Sequence, residues 1–475
     1  MPGPVRPLRA SFERRASKRD ALPNNRLAFM DHAMFAEHTA NGRNVIIQVV
    51  FIYEQAIDIN GVKRFNQALG YGLLGRRVER SSFGRYRWVS SHVASEIDIA
   101  DCPRPRAELS DWADERSQLP TDPELGPGWH IGVLPLTDGS TAVSLVVSHY
   151  LIDGFGLAVT IIDALLGKTL DLGYPQPGSR TRLRAVTQDV REASRDAREV
   201  GRALGVAAKL ARRRRHDGAS STEPRPVAVD HGDGDESVVM PVITMHIDAD
   251  EWDARAKALG GTGRTLLAGF GAKLGERMGR RRVGDGAVTL QLPISARTES
   301  DTRAIAVSFA QFSVDPTPVT TNLGDVRAAV KQALDTLRET PDESVQLLWL
   351  VPFAPQRVLK RIGSAMGADP NHPVFCSNLG DLGFLVYALA RTEVEYAIID
   401  ATLNSLHLIR VSGQRLTRQL LERTGGQMML QSWRIGAKIG ITIEAYQPGA
   451  TNTKSALREL AARTLAEFEL TGEVD

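Results

Sequence analysis

The sequence predicts an α/β or α+β protein built in two halves, and three observations carry that expectation. Helix-like and strand-like runs alternate on both sides of a charged segment bearing proline and glycine, roughly residues 175–238. A β-branched run ends in a histidine and gives way at once to a helical pattern. No window of about eighteen consecutive apolar residues occurs, so the hydrophobic residues are available for cores rather than for a spanning helix. With 475 residues, 42% of them hydrophobic, the chain is long enough for two or three domains with substantial cores.

Taken in order, residues 1–25 carry Arg6, Arg9, Arg14, Arg15, Lys18 and Arg19 with no apolar stretch before a small-residue cleavage site, which argues against a secretory signal. They read as a flexible basic arm. A solvated tail is the plain interpretation and peripheral contact with anionic membrane the sharper one. Residues 26–175 form the expected N-terminal lobe, with a helix over Val62–Leu69 and a strand over Thr141–Val147. Beyond that strand Leu157, Val159, Ile161, Ile162 and Leu165 recur at helical spacing. Residues 176–238 form the expected crossover. Leu183–Leu210 suits a helix there, and a basic run ending at His216 leads into an acidic, glycine-bearing stretch that reads as surface linker.

Residues 239–475 form the expected C-terminal lobe. Strands are predicted at Val242–His246, Val288–Ile294, Ile305–Val314, Val394–Ile399, Leu406–Val411, Gln427–Trp433 and Lys438–Tyr446. Helices are predicted at Leu266–Met278, Val326–Leu337 and Lys454–Leu470.

The most informative stretch is Val146-Val-Ser-His-Tyr-Leu-Ile-Asp-Gly-Phe-Gly156. It places His149 where a strand stops and Asp153-Gly154 where a helix starts. An alcohol or amine attacking a thioester must lose a proton as it bonds, and neutral imidazole, with a pKa of about 6.5, is suited to accept it. Backbone amides around Gly154, at the positive end of a helix, are candidate donors to the developing oxyanion. In isolation, a His-x-x-x-Asp-Gly segment is better described as a hydrogen-bonded histidine at a strand end.

Further residues make the segment more specific. It resembles the His-His-x-x-x-Asp-Gly motif of peptide-synthetase condensation domains, chloramphenicol acetyltransferase-like enzymes, polyketide-associated acyltransferases and wax ester synthase/diacylglycerol acyltransferases. The catalytic second histidine maps onto His149, and Ser148 stands in place of the first. Leu27-Ala-Phe-Met-Asp-His-Ala-Met-Phe35 is similar to the Asp-x-x-Phe opening of the wax ester synthase group, with one extra residue between Asp31 and Phe35. Leu290-Gln-Leu-Pro-Ile-Ser-Ala-Arg297 resembles the superfamily's Val-Pro-Val-Ser-hydrophobic-Arg strand, although Ala304-Ile-Ala stands where Gly-Asn would follow. Phe375-Cys-Ser-Asn-Leu-Gly380 is similar to its Ser-Asn-hydrophobic-Pro-Gly loop, with Gly380 in the place of proline.

The resemblance covers most of residues 26–470. It implies two chloramphenicol acetyltransferase-like lobes in a V-shaped pseudo-dimer with a central tunnel. It also implies a structural Asp153–Arg297 pair, and makes Ser377, Asn378 and Gly380 tunnel candidates. The implied activity is acyl transfer in lipid or secondary-metabolite biosynthesis, from acyl-CoA or a phosphopantetheinyl acyl carrier protein to an alcohol or amine acceptor, with no bound cofactor. A catalytically degenerate protein that binds lipid or acyl carrier is the alternative, which Ser148 and the missing Asn favour.

Composition excludes other classes. Lys and Arg number 58 against 56 Asp and Glu, which gives no general attraction to nucleic acid. Cys102 and Cys376 form no metal-like pair, and the histidines, among them His32, His130, His246, His372 and His407, lack ligand spacing, so no metal is expected. A reducing compartment, the cytoplasm, fits this cysteine usage. Gly70-Tyr-Gly-Leu-Leu-Gly75 matches a dinucleotide fingerprint by letter only, since it follows a helical run and not a strand. Neither G-x-S-x-G nor a P-loop is present.

Overall fold

A computed structural model describes residues 24–42, 44–81, 84–217, 237–298, 301–339, 346–355, 357, 359, 371–383 and 403–475. The basic residues of the N-terminal arm, the acidic end of the linker and the expected strand Val394–Ile399 lie outside the described residues.

Two sheets form the two lobes. The N-terminal sheet has the order Leu403–Gln414, Asn44–Tyr53, Thr141–Ser148, Trp129–Pro135, Ile97–Ile99. Its second strand, Asn44–Tyr53, is an apolar run buried along nearly all its length. One face packs Ile47, Val49 and Phe51 into the main core of this lobe, and the other packs Val50 and Ile52 against Leu109, Trp112 and Ala113. The C-terminal sheet has the order Glu473–Val474, Val242–Asp248, Lys438–Tyr446, Gln427–Ile435, Val374–Asp381, Val288–Ser295, Val307–Val314. The strand Val374–Asp381 runs parallel to both of its neighbours. The helix Gly263–Arg277 is buried against this sheet through Leu266, Leu267, Phe270 and Leu274.

One boundary differs from expectation. Residues 239–475 do not stay in one lobe, because Leu403–Gln414 pairs antiparallel with Asn44–Tyr53 and completes the N-terminal sheet. The crossover helix, Arg182–Asp217, forms over the stretch expected to be helical and is tied to the N-terminal lobe. Asp189 and Asp196 are 3% and 7% exposed. Together with Glu192 they pair with Arg26, Arg87 and Arg180, clamping the helix to the N-terminal lobe. Acidic side chains along one helix face meet Arg26 and Arg87, which are distant in sequence, a match that helical periodicity does not reveal.

The strand Leu403–Gln414 carries buried polar contacts within the N-terminal lobe and, through Ser412, to the C-terminal sheet. Arg410 donates from Nε to Gln48 Oε1 at 2.7 Å and from Nη1 to Asp114 Oδ1 at 2.7 Å. Ser412 Oγ donates to Glu444 Oε1 at 2.8 Å, whereas Glu444 Oε2 has no partner among the described residues. Burial pushes the Glu444 carboxyl from its ordinary 4.5 up to about 7. The folded protein therefore holds a proton that the unfolded chain has released, and stability falls as pH rises from 4.5 to about 7. Glu444→Gln should remove this component. Thermal melts at pH 5 and pH 8 check it: a variant that loses as much stability as the parent between the two would reject the assignment.

Candidate active site

The segment around His149 is built by the strand Thr141–Ser148 and the helix Gly154–Leu165. Every residue of that strand is buried, between Asn44–Tyr53 and Trp129–Pro135. The last amides extend the pairing with both flanking strands by one residue, and the strand ends where the chain turns back on itself. Ser148 N donates to Gly128 O at 2.8 Å, His149 N to Val45 O at 2.8 Å, and Leu151 N turns back to Ser148 O at 3.1 Å. The helix begins because the Asp153 side chain accepts from Gly156 N at 2.8 Å, an N-cap.

His149 is half-buried, with Nδ1 at 2.9 Å from Ile152 O. A carbonyl oxygen can only accept, so Nδ1 carries the hydrogen and Nε2 keeps its lone pair. Burial lowers the imidazole pKa below its ordinary 6.5, and the Ile152 carbonyl and the Asp153 carboxylate only partly oppose it. The ring is thus a neutral base in a fixed tautomer. The amides of Gly154 and Phe155, in the first turn of the helix, have no intrahelical acceptor.

Asp153 and Arg297 meet as a bidentate pair. Arg297 Nε lies 3.1 Å from Asp153 Oδ1 and Nη2 lies 2.7 Å from Oδ2, with the two side chains 4% and 2% exposed. The carboxylate also accepts from Ala306 N at 2.9 Å, while the guanidinium donates to the carbonyls of Asp301, Arg303 and Ala304. These contacts tie the start of the Gly154–Leu165 helix to the segment Asp301–Ala306.

Asp31 does more than its place in an opening motif suggests. Its carboxylate, 2% exposed, accepts from Ala304 N at 2.9 Å and from Ile305 N at 2.8 Å. Burial raises its pKa, and those amides work against the rise. Two N-lobe carboxylates therefore take three successive amides of the segment standing where Gly-Asn was absent. Arg76, stacked 3.8 Å over Trp88, donates to Leu151 O at 2.9 Å and also reaches Thr302 O. It ties the same segment to the turn that follows His149.

Of the two glycines, Gly156 is the more crowded. A Cβ there would lie 3.2 Å from Arg297 Cζ and 3.2 Å from Asp153 Oδ1, whereas one at Gly154 would meet only Leu379 Cδ2 at 3.5 Å. Leu379 lies on the strand Val374–Asp381 and not on the loop that the resemblance implied, so this end of a C-terminal-lobe strand faces the start of the Gly154–Leu165 helix. Gly380 adopts φ +77, a left-handed conformation that glycine tolerates, and its amide is held by Asn378 Oδ1 at 2.8 Å. Ser377 is half-buried and paired in register with Gln431.

Ser148 is 0% exposed and its hydroxyl has no partner among the described residues. A buried hydroxyl without a hydrogen bond costs about 1–3 kcal/mol. Ser148→Ala should therefore hold or raise stability in denaturant unfolding. A loss above about 1 kcal/mol would mean that the hydroxyl has a partner.

Other sequence readings resolve simply. The Gly70–Gly75 stretch is a tight loop, in which a Cβ on Gly75 would come 2.4 Å from Gly70 O. Cys102 and Cys376 are free thiols. Among the described residues, no group of three or more His, Cys, Asp or Glu is placed to hold a metal ion, and no helix is long and apolar enough to cross a membrane.

No protein-family profile and no curated protein sequence matches this chain. Solved structures do. The first condensation domain of the CDA synthetase is similar at 12% identity with a TM-score of 0.53, over 94% of this chain and 99% of that one. The first condensation domain of the calcium-dependent antibiotic synthetase in complex with a substrate analogue has 15% identity and a TM-score of 0.52, over 93% and 96%. A wax ester synthase/diacylglycerol acyltransferase from Marinobacter aquaeolei VT8 has 12% identity and a TM-score of 0.52, over 94% and 98%. The chain has the two-lobed, chloramphenicol acetyltransferase-like fold that these proteins share.

Proposed function

We propose that this protein with a condensation-domain fold is an acyltransferase that moves an acyl group from a thioester to a hydroxyl or, as second choice, an amine, in lipid or secondary-metabolite biosynthesis. The observation that carries the reading is the His149 tautomer: with Nδ1–H committed to the Ile152 carbonyl, Nε2 is the unprotonated base. The acceptor gives its proton to Nε2 as its oxygen or nitrogen bonds to the thioester carbonyl. The resulting oxyanion is stabilised by amides at the start of the Gly154–Leu165 helix. Collapse expels the thiolate, which recovers the proton from the imidazolium.

Phe155 and Val159, 53% and 41% exposed on that helix, supply apolar surface for an acyl chain. The donor is acyl-CoA or an acyl group on a phosphopantetheinyl carrier protein, and no further cofactor is needed. A cytoplasmic location, with peripheral membrane contact through the basic arm, accords with this chemistry. Incubation with panels of acyl-CoA and of alcohol or amine acceptors, read by mass spectrometry, tests the proposal. Ester or amide product supports it, and binding without product supports the degenerate reading that Ser148 favours.

The pH dependence follows from the His149 shift. Because the imidazole pKa is lowered by burial, the base stays active below its ordinary range. The acid limb of kcat/KM should inflect below pH 6.5. An inflection above that value would remove His149 as the titrating base.

A further inference from the structure

A cavity of about 540 Å³ opens between the two lobes away from His149. Val45, whose carbonyl takes the His149 amide, and Ile52, which lines the cavity, are seven residues apart on one strand. The two places are therefore about 23 Å apart. The floor is apolar, made of Ile52, Leu406, Trp433 and Ile435. Its indole is fixed: Trp433 pairs in register with Gly440, where a Cβ would lie 2.3 Å from the ring, so glycine is what lets the indole lie flat there.

The polar part of the cavity carries more cations than carboxylates. Arg106, Lys438 and Arg458 line it with His246 and His407. Arg106 is already committed to Asp138 at 2.8 Å. Lys438 and Arg458 are exposed and make no ion pair among the described residues. The wall holds two carboxylates, Glu473 and Asp475, of which Asp475 Oδ2 lies 3.3 Å from His407 Nδ1 and 4.0 Å from His246 Nδ1. A pocket of this size with an apolar bed and a few convergent polar groups has the make-up of a small-molecule site.

We propose that this cavity binds a small amphipathic anion, its phosphate or carboxylate held by Lys438 and Arg458 and its apolar body laid on Trp433 and Ile435. The site stands apart from the His149 machinery and does not rest on the acyl-transfer reading.

Calorimetric titration of the full chain with octyl phosphate and with octanoate tests this, with inorganic phosphate and 1-octanol as single-feature controls. Saturable binding of either amphiphile, tighter than both controls, is expected, and the tighter of the two identifies the head group. The Lys438→Glu/Arg458→Glu double variant should weaken binding about tenfold, since both side chains are exposed and their reversal leaves the core alone. Ser110→Trp, which narrows the cavity without changing its charge, should weaken it as well, and His149→Ala should leave it unchanged. No saturable binding, equal binding of inorganic phosphate, affinity untouched by the charge reversal, or loss of binding in His149→Ala would each overturn the proposal.

Discussion

Replacing His149 by alanine is expected to cut acyl transfer by about 10²–10⁴-fold, the usual contribution of a positioned general base. The protein should stay folded. The ring makes one hydrogen bond, to Ile152 O in its own turn, and is half-buried, while the backbone bond from His149 N to Val45 O survives the substitution. Single-turnover rates alongside circular dichroism and thermal melts measure both effects. A folded variant with near-parental turnover would eliminate His149 as the base.

Removing either member of the Asp153–Arg297 pair is expected to cost about 3–5 kcal/mol of stability. In Arg297→Ala, Asp153 keeps the amides of Gly156 and Ala306 but loses its counter-charge in a site where it is 2% exposed. In Asp153→Ala, the guanidinium keeps three carbonyl acceptors and no anion, and the Gly154–Leu165 helix loses its cap. The Asp153→Ala/Arg297→Ala double variant should lose much less than the sum of the singles. Urea unfolding of the four proteins completes the cycle. Additive losses would mean that the two side chains are not energetically coupled, contrary to distances of 2.7 and 3.1 Å.

Much of the local site was legible before any coordinates. The strand Thr141–Ser148, the turn bearing His149 and the cap at Asp153 are short-range features, set by β-branched content, by the reach of an aspartate to an amide three residues on, and by helical spacing beyond. The Asp153–Arg297 pair came from motif resemblance and not from spacing, since 144 residues separate the partners. Asp31 was visible as a motif residue, but its function was not: nothing local says that its carboxylate receives the amides of Ala304 and Ile305. The crowding at Gly156 also escaped, because the atoms that crowd it belong partly to Arg297 on the other lobe.

By itself, then, the sequence determined the alternation of elements, the place of His149 and the helix that follows it, because those depend on neighbours within a few residues. Tertiary structure alone decided that Leu403–Gln414 completes the N-terminal sheet, that the Arg182–Asp217 helix is clamped to that lobe, and that His246, His407 and Asp475 gather around one inter-lobe cavity. These depend on strand order and register, and local hydrophobic periodicity marks which residues are buried without specifying which distant residues bury them.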